Sequence, residues 1–127
     1  MVEQSSGRIL ATAFSAARVH DFALFKHSRL WLEGACRCVA DAGYRSLNHW
    51  HVNSQTPHKK SKHHALTAEQ QAANQQLSSE RMVVEHALAR LKVFGILSER
   101  YRNRRRRFGL RFNLLAAVCN HQLQPAS

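Results

Sequence analysis

The stretch SSERMVVEHALARLK, residues 78–92, lies inside a run from Thr67 to Phe94 that contains neither glycine nor proline. A run of this length predicts one long helix. Thr67 and Gln70 match a capping box, so the helix is predicted to begin beside Thr67. Four large apolar residues recur along it at helical spacing and predict a single buried face. They are Leu77, Val84, Leu88 and Leu91.

Two glutamates in this helix point in different directions. At about 100° per residue, Glu85 falls within roughly 40° of Arg81 and Lys92, whereas Glu80 lies roughly 100° from Arg81, toward the apolar side. Arg81 and Glu85 are spaced for an ion pair along the helix surface, which would contribute about 0.2–0.5 kcal/mol. Periodicity alone favours this ion pair, and it predicts ordinary helix-surface charge for Glu80. The alternative is that Glu85 belongs to a chemical site.

A second candidate site residue is Asp41 in the segment VADAGY, residues 39–44. The segment CRCVAD, residues 36–41, predicts a strand that ends at this aspartate. Aspartates at the carboxyl ends of strands hold ligands and catalytic groups in α/β folds. Asp41 could equally cap the turn before Gly43. From this segment alone both interpretations stay open.

The remaining segments predict a mixed arrangement, with strands first and helices later. GRILATAF, residues 7–14, predicts a buried strand, and Asp21 is a plausible N-cap of a short helix. The polar segment of residues 53–64 predicts a strand end followed by an exposed loop. Residues 108–123 predict a second amphipathic helix. Its apolar residues are Leu114, Leu115, Val118 and Leu123.

Composition limits the classes of protein that the chain can represent. Its 127 residues suffice for one domain, and 19 Lys+Arg against 8 Asp+Glu give a net charge of +11. Such an excess favours a polyanionic partner, either nucleic acid or an anionic membrane surface. No apolar run approaches the length of a transmembrane helix, and we see no signal peptide. Three cysteines, an odd number, indicate a reducing cytoplasm.

The excess of positive charge is densest in the segment ERYRNRRRRFGLR, residues 99–111. Arginines interleaved with aromatic residues predict a surface that contacts phosphate, although such contacts carry no base information. The candidate DNA-binding residues here are Arg102, Arg104, Arg105, Arg106, Arg107 and Arg111. A structural zinc site is not favoured, because the spacing of Cys36, Cys38, His49 and His51 differs from that of zinc ligands.

Taken in order, these motifs resemble those of a known family. DAGY followed by R-x₃-E-x₆-K, formed by Arg81, Glu85 and Lys92, resembles the signature of bacterial insertion-sequence transposases of the DDE type. The closest resemblance is to the "insertion sequence five" family, which is related to Harbinger-type elements. SSGRILATAF, HDFALFK, KKSK, ERMVVEHALARLKVF and ERYRNRRRRFGLRFNLLAAVCN are similar to that family too, so the resemblance runs from about Gln4 to Leu123.

The resemblance implies a fold, a cofactor and roles for individual residues. It implies a ribonuclease H-like α/β core in which two aspartates and a glutamate bind two Mg²⁺ or Mn²⁺ ions. Two such ions clamp the attacking and leaving oxygens of a phosphoryl displacement. By position, Asp41 resembles the second aspartate and Glu85 the glutamate, and both are predicted metal ligands. Arg81 and Lys92 are the signature's basic residues, predicted to contact DNA phosphate.

The chain departs from the family pattern at two places. Ser78 stands where the signature usually has tyrosine, and the family's first aspartate lies upstream of RILATAF, where this sequence offers none. Asp21 belongs to the "HD" motif rather than to that first-strand position. We therefore expect residues 1–98 to form an incomplete ribonuclease H-like core that lacks its first strand. Residues 99–127 are expected to add the arginine-rich segment and a basic helical region to the same domain.

The expected function is that of a C-terminal part of a DNA transposase, located in the bacterial cytoplasm with the nucleoid. Alone, it is expected to bind DNA at element ends and target sites and to lack strand-transfer activity. Three alternatives stay open. A second polypeptide, supplying the remaining transposase segment, could complete the site. The chain could instead occupy DNA or full-length transposase and inhibit transposition, or it could be a decayed remnant. No membrane partner is expected.

Overall fold

The computed structural model describes residues 1–15, 18–96 and 105–123, with the exception of the side chain of Arg105. Three helices and two short strands are formed. They are α1 (Asp21–His27), β1 (Cys38–Val39), β2 (Ser54–Gln55), α2 (Ala68–Lys92) and α3 (Phe108–His121). Two compact units can be distinguished. The strand unit is Ser15–Arg81; the helical unit combines Met1–Phe14 with the described residues of Met82–Ser127, so the division falls within α2.

The strand unit contains a small parallel sheet. β1 and β2 pair with Cys38 opposite Ser54 and Val39 opposite Gln55. Two 3₁₀ turns, Ala42–Tyr44 and Leu47–His49, lie in the connection between the strands. Leu47 is almost fully buried, at 1% exposure. Helices with a parallel strand pair confirm a mixed α/β arrangement, while the ribonuclease H-like core stays a prediction.

The start of α2 confirms the predicted capping box. The Gln70 N–H donates to Thr67 Oγ1 at 3.2 Å, and the Thr67 N–H donates to Gln70 Oε1 at 3.1 Å. Each side chain thus satisfies a backbone donor that the first turn of a helix leaves unpaired. The loop before it is exposed, as predicted from its polar composition.

The predicted apolar face of α2 is wrong in part. Leu77 and Leu91 are buried, but Val84 and Leu88 are 37% and 41% exposed. Ala87, at 1% exposure, is the most buried residue of the helix instead. The buried side of α2 is therefore rotated away from Val84 and Leu88 and toward Ala87. A helix can pack closely where its side chains are short.

The helical unit has its own core. The buried residues of this core are Ile9, Ala87, Leu91, Phe112, Ala116 and Cys119. The predicted strand at residues 7–14 is wrong, because only an isolated bridge between Val2 and Ile9 forms there. Asn120 explains the difference. Its side chain accepts from the Ile9 N–H at 2.7 Å and donates to the Ile9 carbonyl at 2.8 Å, as a neighbouring strand would.

Two helix predictions also need correction. α1 begins at Asp21, but its N-cap is His20, whose Nδ1 accepts from the Phe22 N–H at 3.3 Å. In α3 the buried residues are Phe112, Ala116 and Cys119, whereas the predicted core residues Leu114 and Val118 are exposed. Leu115 and Leu123 are half-buried.

All three cysteines are free thiols, and burial raises the pKa of Cys38.

Candidate functional site

Asp41 lies two residues beyond β1, which is shorter than the strand predicted over residues 36–41, and it begins the first 3₁₀ turn. Its backbone is extended, and Oδ1 accepts from the Ala42 N–H at 2.5 Å. Oδ2 lies 3.2 Å from Nη2 of Arg81 on α2. The predicted turn cap is therefore confirmed, while the role of Asp41 as a ligand or catalytic group stays a prediction. Its side chain is 58% exposed.

The partner of Arg81 differs from the one that helical spacing favoured. Arg81 pairs with Asp41, from another element of the strand unit, and not with Glu85. Glu85 is exposed, and across the described residues its side chain makes neither a salt bridge nor a hydrogen bond. Lys92 is exposed in the last turn of α2. Asp41 and Arg81 are thus brought together in the strand unit, while Glu85 and Lys92 belong to the helical unit.

The segments HDFALFK and DAGY meet in the strand unit, which sequence reasoning did not foresee. Tyr44 makes edge contacts with the rings of Phe22 and Phe25, at centroid distances of 6.0 and 6.2 Å. Burial, and then the negative charges of Asp21 and Asp41, raise the pKa of Tyr44. The aromatic residues following His20-Asp21 were the available signal, since such side chains need a partner to be buried.

Glu80 is not the ordinary helix-surface charge that was predicted. Its Oε2 lies 2.9 Å from Nη1 of Arg37, and only 15% of its side chain is exposed. Arg37 also donates to Gln55 Oε1 on β2, from Nη2 at 2.5 Å. Consecutive residues of α2, Glu80 and Arg81, therefore bind the two ends of the segment that contains β1. The direction of Glu80, toward the apolar side of the helix, was the signal for this partial burial.

Part of the arginine-rich segment can be described. Arg106 and Arg107 are exposed, and Arg111 is half-buried in α3. Arg102 and Arg104 lie outside the described residues, as does the side chain of Arg105. The described arginines thus include exposed guanidinium groups, and their contact with DNA phosphate stays a prediction.

The described residues do not assemble a complete metal centre. They contain no group of three or more His, Cys, Asp or Glu side chains that could hold a metal ion. Asp41 offers the oxygen ligands that Mg²⁺ prefers, but each oxygen already has an N–H partner. His51, near Cys36, contacts the carbonyl oxygen of that residue through Nε2 at 2.5 Å. We therefore derive no metal-dependent step from this arrangement.

Comparison with known proteins identifies the class. The model of the transposase DDE domain family matches residues 1–120, and the chain belongs to this family. It is similar to a probable transposase for insertion sequence element IS702 from Microchaete diplosiphon, with 43% identity over 123 residues. The match covers 97% of this chain and 45% of that relative, so the chain spans less than half of its length.

These matches confirm the predicted relation to insertion-sequence transposases of the DDE type. No solved structure matches the chain. In the portion that the structure describes, no helix is both long enough and apolar enough to cross a membrane.

Proposed function

We propose that this chain acts in DNA transposition as a DNA-binding polypeptide of a DDE-type transposase. The observation that carries the proposal is the Asp41–Arg81 pair, with a separation of 3.2 Å, at the end of β1 in a chain of this family. It joins a carboxylate suited to divalent cations with a guanidinium suited to phosphate. The same proposal places the chain in the insertion sequence five family. In it, residues 1–98 form a ribonuclease H-like core, and residues 99–127 belong to the same domain.

Each site residue has a role in this proposal. Asp41 and Glu85 are the carboxylates that we assign to Mg²⁺ or Mn²⁺. Arg81 and Lys92 are the residues of α2 that we assign to DNA phosphate. The exposed Arg106 and Arg107 extend the phosphate contacts along the DNA backbone. The DNA is an element end or a target site.

We further propose that the chain by itself binds DNA without cutting it. Its sequence contains only two aspartates, Asp21 and Asp41. No three-ligand group exists among the described side chains. A two-metal site needs several carboxylates to neutralise and position both ions, and Asp41 and Glu85 are the only two that we assign to it.

The test measures DNA binding, Mn²⁺ binding and DNA cleavage by the purified chain with one labelled duplex. We expect affinity for DNA to fall steeply as salt rises, because phosphate contacts release counterions. In the DNA complex, Asp41→Asn and Glu85→Gln should each weaken Mn²⁺ binding about tenfold, which corresponds to about 1.4 kcal/mol. Glu33→Gln, an exposed carboxylate in a loop, is the matched control and should leave Mn²⁺ affinity unchanged.

Three results would contradict the proposal. A chain that does not bind DNA even at low salt has no role as a DNA-binding polypeptide. Equal Mn²⁺ affinities for the Asp41→Asn variant and the Glu33→Gln control would remove Asp41 from the metal site. Robust cutting by the wild-type chain that is lost in Asp41→Asn would show that this chain needs no further carboxylate.

A further inference from the structure

A groove in the strand unit has no role in the function proposed above. Two adjoining open cavities, of about 530 and 470 Å³, share the residues Arg45, Thr56 and His58. Together they form what we call the basic groove. Its charged or ionisable lining residues are Arg37, Arg45, His58, Lys59 and His64.

The charge of the basic groove is not balanced. No acidic side chain is found among its lining residues. Arg37 is paired with Glu80, but Arg45 and Lys59 are exposed and form no salt bridge with any described residue. Lys60 and Lys62 continue the positive charge along the same loop. A groove with several cations and no counter-charge attracts an anionic ligand.

The loop that forms one wall of the groove is fixed at both ends. At its start, the His58 N–H donates to Asn74 Oδ1 at 2.7 Å, and Asn74 Nδ2 donates to the His58 carbonyl at 2.9 Å. At its end, Gln71 Nε2 donates to the Leu66 carbonyl at 3.1 Å, beside the capping box of Thr67. Since both ends are held by α2, ordering the loop around a ligand costs less conformational entropy than ordering a free segment of the same length.

The uncharged lining residues indicate which anion fits. Hydroxyl groups of Thr56 and Ser61 and amide groups of Asn48 and Gln70 offer neutral hydrogen-bond donors beside the cations. Cations mixed with neutral donors are the groups that contact phosphodiester oxygens in protein–DNA complexes. Arg45 directly follows the turn that Asp41 begins. Arg45 and the candidate site residue Asp41 thus flank the same turn.

We propose that the basic groove is a second binding site for the DNA phosphate backbone, separate from the arginine-rich segment and from Arg81 and Lys92. Arg45 and Lys59 are its principal phosphate contacts, and the loop of residues 58–66 is its fixed wall. The inference rests on the proposed function, because it assigns a further surface to the same DNA.

The experiment compares two charge-matched double variants of the full chain. Arg45→Gln with Lys59→Gln removes two charges from the groove, and Arg18→Gln with Arg29→Gln removes two exposed charges elsewhere in the strand unit. Fluorescence anisotropy gives the affinity for a labelled duplex at several salt concentrations. We expect the groove variant to lose about 1.8 from the slope of log K against log[salt], at about 0.9 for each lost phosphate contact. The matched control should lose less than half of that amount.

A second measurement reports on the loop directly. Acetylation of lysines, read by mass spectrometry with and without the duplex, should show Lys59 protected by DNA several-fold more than Lys26 on α1. Circular dichroism checks that both double variants remain folded. If they do not, the protection of Lys59 in the wild-type chain decides the question alone.

The outcomes separate this inference from the proposed function. If the wild-type chain fails to bind DNA, both are wrong. If it binds, but the two double variants have equal salt slopes and Lys59 is not protected, only the groove is excluded. A groove variant that loses affinity for vesicles of anionic lipid while keeping its affinity for DNA would assign the groove to a membrane surface and overturn the proposal.

Discussion

Glu80 contributes more to the stability of the fold than its position on a helix suggests. Its carboxylate faces Arg37 at 2.9 Å, and Arg37 continues the contact to Gln55 on β2. Ion pairs that are open to solvent contribute little, because water screens them and ordering two side chains costs entropy. Here Glu80 is mostly buried while Arg37 is 40% exposed. We therefore expect the contribution of the Arg37–Glu80 pair to stability to lie between that of a surface pair and that of a fully buried pair.

We expect Glu80→Gln to lower the free energy of unfolding by about 1–2 kcal/mol, because a charge-assisted contact to Arg37 becomes a neutral one. Urea unfolding followed by circular dichroism measures the change. Glu33→Gln is the matched control, since Glu33 is an exposed carboxylate of the same unit, and it should change stability by less than about 0.5 kcal/mol. Equal effects of the two substitutions on the free energy of unfolding would show that the Arg37–Glu80 pair is no more stabilising than an ordinary surface contact.

At the scale of elements, α2 provides a matched pair of leucines with opposite surroundings. Leu91 is 3% exposed and contributes to the core of the helical unit, whereas Leu88 is 41% exposed. Leu91→Ala should destabilise the chain by about 2–5 kcal/mol through lost burial and a residual cavity. Leu88→Ala should cost less than about 1 kcal/mol.

The two alanine variants share the same change in helix propensity, so their difference reports on packing alone. Urea unfolding of both variants measures it. A larger effect at Leu88 than at Leu91 would mean that Leu88, and not Leu91, packs in the core.

How much of each element could be predicted depends on where its partners lie in the sequence. The capping box and the turn cap at Asp41 were predictable, because adjacent residues decide both. The partner of Arg81 was not, since Asp41 lies far away along the chain and helical spacing offered Glu85 at a suitable distance. The exposure of Leu88 depends on which side of α2 is covered, and a pattern within one helix cannot specify that.

At the scale of the whole molecule, the net charge of +11 is the dominant property. Only two salt bridges form among the described residues, so most cations there have no paired carboxylate. Self-repulsion of this kind favours expansion of the chain. It also attracts polyanions such as the DNA that we propose as the partner. The feature that favours DNA binding therefore lowers the stability of the free chain.

We expect added salt to raise the melting temperature of the free chain by several degrees between about 10 mM and about 0.5 M NaCl. The Debye length falls from about 30 Å to a few ångströms over this range, which screens the repulsion. Differential scanning calorimetry measures the shift. The Arg18→Gln, Arg29→Gln double variant carries less charge and should respond less. A melting temperature that falls with salt would show that attractive pairs outweigh repulsion.

The hydrogen bonds between Ile9 and Asn120 have a consequence for how the protein is made. These residues are 111 positions apart in the chain. Closing a flexible segment of that length costs about 4 kcal/mol of chain entropy. During synthesis, Ile9 leaves the ribosome long before Asn120, Phe112 and Cys119 exist. The core around Ile9 therefore lacks the residues of α3 until that helix has been translated, and the helical unit can complete its core only after nearly all of this chain has been synthesised.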